Sequence, residues 1–119
     1  MFDRVTEINL LFDIYALLLT EKQREIIRLY HCENLSLSEI SDEFSISRQA
    51  VHDALKNAEN TLTGYESKLG LVKKLEEMSE LVIKADKIIE TLLGENTQNE
   101  ELTNKLHDLK KIMEKMDGV

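Results

Sequence analysis

The sequence has 119 residues, with 15 Lys and Arg against 23 Asp and Glu, three His, one Cys, and neither Pro nor Trp. A chain of this length buries only about two-thirds of its unfolded surface, which suits one compact domain or a small domain with an extension and excludes a two-domain enzyme built around a deep cleft. The formal net charge of −8 is spread along the molecule, −2 over residues 1–19 and −3 over each of 20–62 and 63–119. No segment is therefore the basic domain from which a nucleic-acid binder gains most of its non-specific affinity.

Without Pro, and with glycine only at Gly64, Gly70, Gly94 and Gly118, turn chemistry for a multi-stranded sheet is scarce, and the chain reads as all-α. Val5, Ile8, Leu11, Phe12, Tyr15 and Leu18 recur at spacings of three and four, predicting a first helix over 4–18. Thr20 with Gln23 forms a capping box for a second helix over 21–32, which Asn34 is suited to end. Ser36 with Glu39 is another capping box, opening a short third helix through Leu37, Ile40 and Phe44. Ser45-Ile46-Ser47 breaks that pattern, and Ser47 caps a fourth helix starting at Arg48, with Val51, Ala54, Leu55, Ala58 and Leu62 along one side. Leu62, Tyr65 and Leu69 continue the repeat, so the fourth helix is expected to pass Gly64.

Beyond residue 62 the composition shifts toward Lys, Glu and Leu. Leu71, Leu75, Met78, Val82, Ala85, Ile89 and Leu92 alternate by four and three, the period of a coiled-coil seam. Leu81, Ile83 and Ile88 widen the stripe, as in a helix with more than one neighbour. Gly94-Glu95-Asn96-Thr97 reads as a turn, and Leu102, Leu106, Leu109, Met113 and Met116 give a last helix, making an antiparallel hairpin with the one before. The expected architecture is thus a head over 1–62 and a helical arm over 63–119. At ~1.5 Å per residue the helix over 71–93 is on the order of 35 Å long, more than a head of this size covers. Its stripe faces either the rest of this chain or a second copy, and a homodimer would place Leu75, Met78, Val82, Ile89 and Leu92 in the seam.

Residues 37–55 have the layout of a helix-turn-helix, a short helix, a three-residue turn and a second helix whose start is polar and outward. Ile40, Phe44, Ile46, Val51 and Ala54 form the wedge between the helices, and Ser41 permits their close approach. Ser45 takes the turn position where glycine is common, at a cost of roughly 1 kcal/mol if its backbone is left-handed. The outward face of the second helix carries Arg48, Gln49, His52, Asp53 and Lys56. Arg pairs with guanine edges and Gln with adenine edges in a major groove, and Ser47 with the free amides at that helix start suits a phosphate. The candidate nucleic-acid contacts are therefore Ser47, Arg48, Gln49, His52 and Lys56. Asp53 repels phosphates unless it meets a cytosine amine or pairs with Lys56.

Leu19-Thr20-Glu21-Lys22-Gln23-Arg24-Glu25-Ile26-Ile27, Ser38-Glu39-Ile40-Ser41 and Ile46-Ser47-Arg48-Gln49-Ala50-Val51 together resemble region 4 of bacterial sigma-70-type factors over about residues 19–62. That resemblance implies a promoter-contacting role for Ser47, Arg48 and Gln49. Over its whole length, including the Ser-Arg-Gln-Ala-Val-His-Asp-Ala-Leu-Lys run, the chain resembles the YlxM family of small bacterial helix-turn-helix proteins. This second resemblance implies a regulatory role linked to the signal recognition particle pathway. Two functions are then expected as alternatives, a regulator that binds duplex DNA, or an interaction module that binds signal recognition particle protein or RNA and modulates its activity.

His31 and Cys32 are adjacent and point about 100° apart on a helix, and no second pair at ligand spacing follows them, so neither a metal nor another cofactor is expected. They read as an exposed imidazole and a partly buried thiol. With no glycine-built oxyanion loop, the chain does not read as an enzyme. Lys105, Lys110, Lys111 and Lys115 on the last helix are the densest positive feature, a solvated ion-paired face or else an RNA-phosphate surface. The Met1-Phe2-Asp3-Arg4 start has no secretory signal character, the one Cys forms no internal disulfide, and no apolar run approaches the ~20 residues of a membrane helix. The expected compartment is the cytoplasm, with no membrane partner.

Overall fold

A computed structural model of the protein describes residues 3–116. Those residues form six α-helices and no strand: α1 (Arg4–Tyr15), α2 (Glu21–Ile27), α3 (Leu37–Phe44), α4 (Arg48–Leu69), α5 (Leu71–Glu95) and α6 (Glu100–Met116). The chain divides into two compact units, Met1–Val72 and Lys73–Val119. The compositional shift at residue 62 thus falls inside α4, which runs past Gly64 and ends at Leu69 where Gly70 turns left-handed with φ 60°.

Each capping signal read from the sequence is made in the first unit. Thr20 and Gln23 close a reciprocal box on α2, Ser36 and Glu39 do the same on α3, and the Ser47 hydroxyl accepts the Ala50 amide at 3.0 Å. Asp3 adds a cap on α1, its carboxylate accepting the Thr6 amide at 2.8 Å, and that bond holds the Asp3 carboxyl below the usual range. Ile8, Leu11, Tyr15, Leu19, Ile26, Ile27, Leu55, Ala58 and Leu62 form one buried cluster shared by α1, α2 and α4. Full burial of an aliphatic side chain is worth about 1.5–3 kcal/mol, so this cluster dominates the unit's stability.

Two helices end earlier than the apolar spacing implies. The first stops at Tyr15 and continues as a single 3₁₀ turn over Ala16–Leu18, and Val5 and Leu18, at the two ends of the predicted stripe, are exposed. The second ends at Ile27 and widens into a π-turn over Arg28–Cys32, closed by the Glu33 amide on the Arg28 carbonyl at 3.0 Å. Asn34 then takes the left-handed conformation, φ 57°, expected of a helix terminator.

In the second unit α6 runs back along α5. Ile89, Leu106 and Met113 are buried between them, with Val82, Ala85, Leu93 and Leu102 packed around. The turn expected at Gly94 begins later, because α5 continues through Gly94 to Glu95 and Asn96 caps it with both its backbone and side-chain N–H groups on the Leu92 carbonyl.

Candidate nucleic-acid interface

α3 and α4 meet over Leu29, Ile40 and Val51, all buried, with Leu35, Leu37, Phe44 and Ile46 closing the edges. Ala54 packs instead against the larger cluster of α1, α2 and α4. Between the two helices the chain reverses at Ser45, which is left-handed with φ 54° and ψ 44°. The Ser45 and Ile46 amides turn back onto the Asp42 and Ser41 carbonyls, a Schellman closure that sets the sharp angle. Ser41 is buried at the crossing and satisfies its hydroxyl on the Ser38 carbonyl at 2.8 Å, so the helices approach closely without stranding a polar group.

This packing leaves Ser47, Arg48, Gln49, His52, Asp53 and Lys56 exposed along the first turns of α4. Arg48 lies against the start of α3, with Nη1 donating to Ser38 Oγ at 3.3 Å. Ser36, Leu37 and Ser38 on α3 and Arg48, Gln49 and His52 on α4 line a concavity of about 440 Å³. A second groove of about 480 Å³ runs along the opposite flank of α4, from His52 and Lys56 across to Arg4 and Tyr30. α4 is thus a ridge between two grooves, with His52 on the rim of both.

Asp53 does not pair with Lys56. Its Oδ1 accepts Gln49 Nε2 at 3.0 Å and lies 3.5 Å from His52 Nδ1. Gln49 sits one helical turn before Asp53, so the short amide–carboxylate bond forms along the helix and leaves Lys56 without an ion pair among the described residues. A carboxylate therefore stands among the groups that would read a base.

His31 and Cys32 reverse the expectation made of them. Cys32 is exposed, whereas the His31 side chain retains 7 % exposure and its Nε2 lies 3.3 Å from Glu59 Oε2 on α4. His31 lies in the π-turn with its ring toward α4, and it also meets the Tyr30 ring edge-on at 5.0 Å. No group of three or more His, Cys, Asp or Glu able to hold a metal gathers among the described residues.

The four lysines of α6 differ in their partners. Lys110 bridges Glu90 and Asp86 of α5, and the hydrogen bond to Glu90 foremost raises its pKa above the ordinary lysine value. Lys105 pairs with Glu101 at 3.3 Å on its own helix, while Lys111 and Lys115 make no ion pair among the described residues. The predicted seam also divides. Ile89 is buried and Val82 partly buried against α6, whereas Leu75, Met78 and Leu92 are exposed.

Ser36, Ser38 and Arg4 line the two grooves beside α4 and were not among the residues that sequence spacing picked out. Ser38 reaches Arg48 from ten positions upstream, and Arg4 arrives from a different helix. The capping box at Ser36 was the one local sign that the start of α3 is polar and open.

Residues 2–109 match the model of the family UPF0122, described as "Putative helix-turn-helix protein, YlxM / p13 like". The chain belongs to this family. It is 46 % identical over 110 residues to a "UPF0122 protein" of Desulforamulus reducens, covering 92 % of each chain. It is also 39 % identical over 117 residues to family members of Bacillus thuringiensis and Bacillus anthracis, covering 98 % of this chain and 100 % of theirs. The matched residues include the α3–α4 pair, and no helix among the described residues is long and apolar enough to cross a membrane.

Proposed function

We propose that this UPF0122 member is a cytoplasmic regulatory protein, not an enzyme, that docks α4 in the major groove of duplex DNA. The observation that carries the reading is the ridge itself: Arg48, Gln49, His52 and Lys56 exposed in sequence along α4 with a groove on either flank. Arg48 and Gln49 supply base-edge contacts, Ser47 and the Ser38 hydroxyl lie where one phosphate strand would pass, and Lys56 with Arg4 where the other would. The resemblance to YlxM proteins supports a place for this regulation in the signal recognition particle pathway.

A second reading, in which the helix-turn-helix binds signal recognition particle protein or RNA and modulates its activity, is favoured in its protein-binding form by Asp53 and the net charge of −8, which oppose phosphates of either nucleic acid. Fluorescence anisotropy at low salt, with random duplex DNA and the signal recognition particle RNA as parallel probes, separates the two. The first reading expects micromolar binding of duplex that weakens as salt rises and is weakened by Arg48→Ala with Gln49→Ala, which removes one cation from the ridge. Both side chains are exposed, so folding should stay within ~0.5 kcal/mol of wild type. Duplex affinity that is absent in wild type, or untouched by the double substitution, refutes groove reading and moves the weight to the second.

A further inference from the structure

Helical phase shows that the α5–α6 hairpin has a second apolar side. On α5, Leu81, Ile88 and Leu92 lie roughly 80° around the helix from the Val82–Ile89 line that packs on α6, at 100° per residue. On α6, Leu109, Ile112 and Met116 lie roughly 70° from the buried Leu106–Met113 line, turned in the same sense. Because the helices run antiparallel, equal turns in one sense bring both stripes to the same side of the hairpin. The ion pairs verify the construction: Lys110 is turned in the other sense, as are Asp86 and Glu90, and these three meet across the opposite edge. One edge of the hairpin is closed by charge, and the other face is open and apolar apart from Lys105, which helical phase places within the α6 stripe and which pairs with Glu101.

The six apolar side chains of that face are 36 to 62 % exposed. They leave on the order of 600 Å² of mostly apolar surface, at the top of what a monomer shows and close to the ~800 Å² per partner of a stable interface once flanking residues are added. We infer that this face is covered by the same face of a second copy, two hairpins stacking into a four-helix bundle. The occupant is named by the period of the surface. Leu81, Ala85, Ile88 and Leu92 alternate by four and three, as do Leu109, Ile112 and Met116 by three and four. Such stripes pack best into stripes of the same period at shallow crossing angles, and an isologous copy presents them with no further component. The interface replaces the seam read from sequence: Leu92 stays, Val82 and Ile89 belong inside each hairpin, and Leu81, Ile88, Leu109, Ile112 and Met116 enter. The inference is independent of the DNA reading.

The test is the mass of the full chain by light scattering, with helicity read by circular dichroism. Wild type is expected at the mass of two chains. Leu81→Glu with Ile88→Glu, and separately Leu109→Ser with Ile112→Lys, are expected to halve that mass with helicity unchanged, since all four side chains are exposed in the single chain. A wild-type mass of one chain at the highest soluble concentration overturns the inference and leaves the face to a different partner. A two-chain mass that persists in both folded variants overturns it equally.

Discussion

The first turn of α5 is satisfied from outside its own helix, and that makes Tyr15 an informative perturbation. Tyr15 is 1 % exposed. Its hydroxyl donates to Glu66 Oε1 at 2.5 Å and accepts the Leu71 amide at 3.1 Å, while the same carboxylate oxygen accepts the Val72 amide at 3.0 Å. The opening N–H groups of a helix have no carbonyl partner within it, so α1 and α4 together cap α5. Tyr15→Phe keeps the ring, and its tilted packing on Tyr65 at 5.9 Å, but deprives the Leu71 amide of its acceptor and Glu66 of a donor. A polar group so stranded costs about 1–3 kcal/mol, and the lower end applies because Leu71 is only half-buried. A loss of about 1 kcal/mol lowers Tm by about 4–8 °C in a unit of this size. Urea unfolding of Tyr15→Phe, Glu66→Gln and the double variant should show non-additivity, because the two side chains share one bond. The pH dependence carries a second signature. Burial first, then the bond to Glu66, raises the Tyr15 phenol above its ordinary value. The unfolded chain therefore releases that proton first, so the stabilisation is complete below the unfolded pKa of about 10 and is lost as pH rises through the folded one. Tyr15→Phe should lack this alkaline component. Single-variant losses that simply add, or a Tyr15→Phe protein as stable as wild type with the same alkaline profile, would refute the capping argument.

Gly64 sits in the interior of α4 with open space where a Cβ would stand, so Gly64→Ala should stabilise by about 0.5–1 kcal/mol, whereas Gly70→Ala, at φ 60°, should destabilise by about 1 kcal/mol; thermal melts of the pair check both signs. Ile40 is fully buried between α3 and α4, and Ile40→Ala should cost about 2–5 kcal/mol in urea unfolding. Hydrogen bonds to Ser36 hold the Glu39 carboxyl low, Arg28 does the same for Glu25, and the Thr6 amide for Asp3. These groups stabilise the fold above the unfolded carboxyl pKa of about 4, and the contribution disappears as pH falls through the lower folded values, so urea midpoints should drop between neutral and strongly acid solution.

What the sequence disclosed was local. The boxes at Thr20 and Ser36, the cap at Ser47 and the passage of α4 through Gly64 were legible from neighbouring residues, and the structure makes them all, while Ser45, left open, turns out left-handed. Helix ends were misplaced where apolar spacing runs past a backbone change: Leu18 keeps the period of α1 although the chain has already tightened into a 3₁₀ turn, and Tyr30 and His31 lie in a π-turn that no residue type announces. The partners of long side chains were less legible still. Asp53 had Lys56 three residues ahead and Gln49 four residues behind, an equal choice on spacing that the structure settles toward Gln49. In the arm the heptad pattern counted apolar positions correctly but could not divide them between two faces, because Leu81 and Val82, or Ile88 and Ile89, are neighbours in sequence whose separation appears only once α6 is laid against one of them.

The charge of α4 makes a last, quantitative demand on the DNA reading. Each head offers Arg48 and Lys56 on the ridge and Arg4 across the groove, while Asp53 opposes them and holds Gln49 and His52 in place. If those three cations are the phosphate and base contacts of one head, log affinity should fall with log salt at a slope no steeper than about −3 per head, shallow for a DNA-binding protein. Asp53→Ala frees Gln49 from an exposed hydrogen bond worth about 0.5–1.5 kcal/mol, so duplex affinity should rise by about two- to twelvefold. The salt slope should hardly change, since no cation is added. Anisotropy titrations at several salt concentrations read both quantities. A slope much steeper than that would mean that phosphates are met by cations elsewhere, and an affinity lowered by Asp53→Ala would mean that the carboxylate itself contacts the partner, as in pairing with a cytosine amine.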